Sequence, residues 1–140
     1  MVKMMNDKLW NVASLRISSD ILSAHEITNI IGLSPTRSHE KGELMSKRNP
    51  KSQKHGLNLW ILDSGLPDCD DIEEHLKKLG SLIESKISEL QSLEDKCEMD
   101  IFCGITLKGG QNTLLFTSEM IKKISFIPLD LVFDIYTNNE

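Results

Sequence analysis

A length of 140 residues, 39% hydrophobic and 26% charged residues and a formal net charge of −5 describe a globular domain, residues 1–140, and nothing in them is biased enough for disorder. A domain of this size buries about two thirds of its unfolded surface, so it needs neither disulfide nor metal to fold. No apolar run approaches the about 20 residues of a membrane span, and MVKMMNDKLW contains no apolar segment of signal-peptide kind, which points to the cytoplasm.

In chain order, Leu15 and Ile17 alternate with Arg16 and Ser18, the period of two that predicts a half-buried strand. That strand begins near Trp10, whose indole is suited to cover a sheet edge or the rim of a core. Ser23 stands three residues before Glu26, the spacing of a capping box, so a helix starts there. Ile27, Ile30, Ile31 and Leu33 define its apolar side, Gly32 suits its end, and Pro35 forbids its continuation.

Residues 34–55 show no sustained period, contain the turn signal Asn49-Pro50 and read as a long basic loop. Thr36 to Gly56 hold six bases against two acids, leaving ten bases against nineteen acids elsewhere. A basic loop on an acidic body serves as a solvated connection or as an anion contact. Nucleic acid is disfavoured as a partner because the loop lacks aromatics and a docking motif.

Gly56 to Asp63 resume alternation, Leu57, Leu59 and Ile61 on one side and Trp60 and Leu62 on the other, so that strand is expected to be covered on both faces. After the turn cluster DSGLPDCDD, Ile72, Leu76, Leu79, Ile83, Ile87, Leu90 and Leu93 step by threes and fours. They predict one helix over residues 71–94, more than 30 Å long at about 1.5 Å per residue. Met99, Ile101, Cys103 and Ile105 share one face of a strand over 97–108. Gly109-Gly110 turns the chain, and Thr113 to Phe116 form a short strand or the approach to a helix. A short helix over 118–125 stops before Pro128, and Leu129 to Tyr136 form the last strand.

EITNIIGLSP and EMIKKISFIP, beginning at Glu26 and Glu119, agree at five of ten positions. Two strand-helix-strand units joined by the long helix give an α+β domain. The expected sheet has four strands, at least partly antiparallel, with helices on one face in a ferredoxin-like layout.

No arrangement of residues forms a chemical signature. His25, His39, His55 and His75 have no metal-ligand spacing, and Cys69, Cys97 and Cys103 are an odd set without CxxC, as suits thiols in a reducing compartment. Neither Ser34 nor Cys69 sits in a nucleophile motif, and Gly109-Gly110 complete no phosphate loop. The best candidate site is the turn carrying Thr36, Arg37, His39, Lys41 and Glu43, with Trp60 as an apolar floor. There Arg37 is able to grip a carboxylate or phosphate in two-pronged fashion.

LRISSDILSAHEITNIIGLSPTRSHEKGE, followed by GLNLWILDS and ending in LDLVFDIY, resembles the bacterial group known as domain of unknown function 4279. The likeness rests on Glu26-Ile27, the turn Gly32-Leu33-Ser34-Pro35-Thr36, the tripeptide Lys41-Gly42-Glu43 and the strand from Leu57 to Trp60. It covers nearly the whole chain and implies a compact stand-alone domain with no catalytic residues to carry over.

The expected function is a non-enzymatic cytoplasmic protein-binding domain without a cofactor. An immunity-type protein that masks a basic partner such as a toxin is the leading form, steered by the acids of Asp68 to Glu74 and Glu89 to Asp100. The alternative is a small-molecule or nucleotide-binding module that holds an anion on the Thr36 to Glu43 turn. The oligomeric state stays open.

Overall fold

In the computed structural model, which describes residues 10–138, the alternation around Leu15 becomes β1 (Val12–Ser19), the middle strand of a mixed sheet. Its neighbours are β3 (Asn58–Asp63) and β4 (Glu98–Lys108), with β2 (Arg37–His39) and β5 (Asp130–Asn138) at the edges, in the order β2-β3-β1-β4-β5. All neighbours are antiparallel except β4 and β5, which are parallel. The register sets Leu15 between Leu62 and Ile101, and Ile17 between Trp60 and Met99. One sheet face therefore carries Ala13, Leu15, Ile17, Trp60, Met99, Ile101, Cys103 and Ile105, all buried in one core.

The sheet has five strands, not four, because Arg37–His39 join it through main-chain pairing to β3. Three polar, largely exposed residues leave no apolar period for such a strand to announce itself. The strand order does not reproduce the ferredoxin-like layout either. There each strand-helix-strand unit is split by a strand of the other, whereas β1 and β3 are antiparallel neighbours and β4 and β5 parallel ones. The two units that echo one another in sequence thus have different geometries.

Helix α1 (Ala24–Ile31) starts at the expected capping box: the Ser23 hydroxyl accepts from the Glu26 amide at 3.1 Å, and the Ser23 amide donates to the Glu26 carboxylate at 3.0 Å. Gly32 ends it at φ 80°, a left-handed conformation that costs glycine little. Ala24, Ile27 and Ile31 face the core, while Ile30 stands outside it.

The long helix is broken. α2 (Ile72–Ile83) passes through a 3-10 turn at Glu84–Lys86 into α3 (Ile87–Gln91). Beyond this turn α3 packs on α1, and Leu90 and Leu93 lie in the same core as Ile72, Leu76, Leu79 and Ile83. His75, on α2, is buried, with Nδ1 2.6 Å from the Ser64 hydroxyl and Nε2 3.0 Å from the Pro67 carbonyl. Nε2 therefore carries the proton, and this histidine is a brace for the loop before α2.

Residues 113–116 form neither strand nor helix, though Leu114 and Phe116 pack on the core. α4 (Ser118–Ser125) follows, capped by the Thr117 hydroxyl, which accepts from the Met120 amide. Trp10 lies towards one edge of the sheet: its indole sits on Gly104 of the interior strand β4, where any Cβ would collide with the ring, and meets Tyr136 of the edge strand β5. Residues 34–55 are not a plain loop. After β2 the chain turns at Glu40 to Glu43 and runs out as an arm closed by one antiparallel bridge between Leu44 and Lys54, with Gly42 N–H to His55 O at 2.8 Å, His55 N–H to Glu43 O at 2.7 Å and Met45 N–H to Gln53 O at 2.8 Å. Among the described residues no helix is long and apolar enough to cross a membrane.

Candidate functional site

All the helices that pack on the sheet use the face of Leu15 and Trp60, so among the described residues no helix covers the other, open face, which bears most of the polar members of the strands. The registers arrange it in cross-strand rows. Arg37, Ile61, Arg16, Asp100 and Asp130 form one row from β2 to β5. His39, Leu59, Ser18 and Glu98 form the row on one side of it, and Asp63, Ser14, Phe102 and Val132 the row on the other.

At the centre the Arg16 guanidinium grips Asp100 with two hydrogen bonds of 2.7 Å and lies 4.6 Å above the Phe102 ring. The carboxylate raises the arginine's pKa against the opposing effect of burial, and a fork-to-fork pair on an aromatic floor is geometrically specific. Asp63 accepts from the Ser14 hydroxyl and, at 3.5 Å, from Arg37.

Charge is graded across this face. Arg37 and His39 lie on the β2 side, with the exposed Lys47, Arg48 and Lys51 beyond them on the arm, and Glu98, Asp100, Asp130 and Asp134 lie on the β4 and β5 side. Asp130 stands directly opposite Asp100, whose charge Arg16 already answers. Beyond Gly104, Trp10 meets Tyr136 edge-on at 5.6 Å, and the Tyr136 hydroxyl donates to Asp134, which raises the tyrosine's pKa. Arg16, Ser18, Leu59, Glu98, Asp100 and Asp130 surround a cavity of about 200 Å³, smaller than the roughly 300–1,000 Å³ of small-molecule pockets. A groove of about 320 Å³ between α2 and α4, floored by Leu76, Phe116 and Met120, lies on the opposite side of the sheet.

The residues singled out in sequence do not converge. Arg37 and His39 are on the open face, but Trp60 is on the other one, wholly buried with its indole N–H donating to Thr28 Oγ1 at 3.0 Å. It is no floor for Arg37, since a side chain one residue out of register points through the opposite side of the sheet. Thr36 spends its hydroxyl on the Asp63 amide at 2.9 Å, and Lys41 pairs with Asp20. Glu43 accepts from the Glu40 amide, which together with the charge of Lys47 and of two histidines holds its carboxyl below the usual range. Those two histidines, His39 and His55, stack at 4.3 Å with planes 17° apart, and among the described residues His55 Nε2 is buried without a hydrogen-bond partner. Their separation of sixteen positions gives no periodic signal in the sequence.

Cys103 lies in the core, where burial and the charge of Asp100 push its thiol up to about 12, which makes it an inert apolar filler. Among the described residues no three histidine, cysteine or acidic side chains gather as a metal site would require. Of the two acidic stretches read in sequence, only Glu98 and Asp100 belong to the open face; Asp68 to Glu74 lead into α2.

The family described as a domain of unknown function, DUF4279, matches residues 8–138. No curated protein and no solved structure matches the chain. The residues that carry the family likeness have identifiable structural work. Gly32 ends α1, Thr36 braces β3, and Lys41-Gly42 form the centre of a turn in which Gly42, at φ 91°, takes the left-handed position. The Asn58 side chain joins the Leu22 carbonyl to the Lys41 amide.

Proposed function

The chain belongs to the DUF4279 family, and from that premise we propose that it is a non-enzymatic, cytoplasmic protein-binding domain, of the immunity type, that receives a basic protein such as a toxin on the acidic half of its open sheet face. The observation that carries this reading is Asp130, a second carboxylate directly opposite the Asp100 that Arg16 grips, with Glu98 and Asp134 on the same two strands. An incoming lysine or arginine gains more there than at a site already neutralised. Two further features support it. Trp10 and Tyr136, residue types that anchor interfaces, flank the acids with their rings partly exposed. The cavity beside Arg16, at about 200 Å³, suits one side chain of a partner better than a free ligand.

The anion-binding alternative at Thr36 to Glu43 has less behind it. Thr36, Lys41 and Glu43 are committed to bonds within the chain, and only Arg37 has reach to spare, weakly held at 3.5 Å.

Recovery of the tagged chain from its own host, at low and at high salt, tests the proposal. A stoichiometric basic protein should accompany the chain, be released by salt, and be lost from the double variant Asp130→Lys/Asp134→Lys. A partner held equally by that variant at high salt would remove the acidic face from consideration.

A further inference from the structure

The two edges of the sheet are finished differently. β2 is three residues long and runs into the arm that carries Lys47, Arg48, Lys51 and Lys54, and short, lysine-rich edges resist pairing with another chain. β5 runs nine residues in unbroken register with β4 and contains neither lysine nor proline, and among the described residues no strand pairs with its outer edge. Its helix-side row is apolar and uncovered: Leu131 is 39%, Phe133 40% and Ile135 48% exposed. That row continues the core, since Phe133 packs on Phe116 at 5.3 Å.

We infer that a second copy of this chain closes this edge, its β5 antiparallel to the first about a twofold axis through Phe133. The strand's own sequence selects both occupant and register. Centred on Phe133, DLVFDIY matches itself along its apolar row, where Leu131 faces Ile135 and Phe133 faces Phe133, while on the other row Asp130 faces Tyr136 and Val132 faces Asp134. A centre one residue later sets Asp134 against its own copy, and like charges directly opposite destabilise a strand pair. The twofold contact closes on itself, whereas a β2-to-β5 contact would propagate into a filament. Three half-exposed apolar side chains and one strand edge bury less than the about 800 Å² per partner of a standard interface. The dimer is therefore reversible, not obligate.

Sedimentation of the full chain over a hundredfold range of concentration tests this. A monomer–dimer equilibrium is expected, shifted at least tenfold toward monomer by Ile135→Lys, with the thermal transition of the monomer unchanged. For the register, Phe133→Cys in a Cys69→Ser background should give an intermolecular disulfide on mild oxidation, and Tyr136→Cys, the more exposed of the two positions but facing Asp130, should not. Equal cross-linking of both, or a dimer indifferent to Ile135→Lys, overturns the assignment. A chain that stays monomeric throughout also overturns it, and leaves the edge to a strand of another protein. Loss of the basic partner does not affect this result, because Phe133 and Ile135 lie on the opposite side of β5 from Asp130 and Asp134.

Discussion

Gly104 and Trp10 form a pair that neither residue explains alone. The glycine leaves an interior strand without a side chain, and the indole occupies the space, so that Gly104→Ala drives a methyl into the ring. Overpacking of this kind costs about 1–3 kcal/mol. Removing the ring should relieve it: Gly104→Ala/Trp10→Ala should be more stable than the sum of the two single changes requires, measured by urea unfolding as a double-mutant cycle. Additive effects would mean that the ring does not rest there. At this scale the sequence was readable where chemistry is local. Ser23, Glu26 and Gly32 announce a cap and a stop by type and spacing. The sequence does not separate Trp60 from the Arg37 side because register, not composition, decides which face a residue joins, and register is set by strands far apart in the chain.

The elements repeat that division. β1, β3, β4, β5, α1 and α4 arise where apolar period and end signals agree, and their bounds follow from the sequence to within a few residues. β2 and the arm escaped notice because main-chain bonds hold them and leave no period behind. The bend between α2 and α3 is hidden because the apolar stripe runs through it without interruption. The start of α1 also makes a prediction about acid. Glu26 has its pKa lowered by the Ser23 amide and hydroxyl, so its contribution is complete above the unfolded carboxylate value and is lost as pH falls through the lower folded one. Glu26→Gln should therefore lower the melting temperature at neutral pH, and the difference from the parent should shrink steadily below about pH 4. A gap constant down to pH 2 would mean that the charge is not what caps the helix.

For the whole molecule, the two proposed contacts respond to salt in opposite ways. Pairing of two chains, each of net charge −5, sets like against like, and the seam on β5 is apolar, so added salt should strengthen the dimer. Capture of a basic protein by Glu98, Asp100, Asp130 and Asp134 should weaken over the same range. Titrating both by light scattering between low and high ionic strength separates them, and a common direction would show that one contact has been misassigned. The placement of β1 has a kinetic consequence as well. It is the central strand, yet Arg16 finds Asp100 only 84 residues further along the chain. During synthesis, a ribbon rich in isoleucine and leucine must wait with one flank bare until β4 emerges, and such long-range closure is slow. The nascent chain is thus most vulnerable to clumping, and most in need of a chaperone, in the interval between its first strand and its fourth.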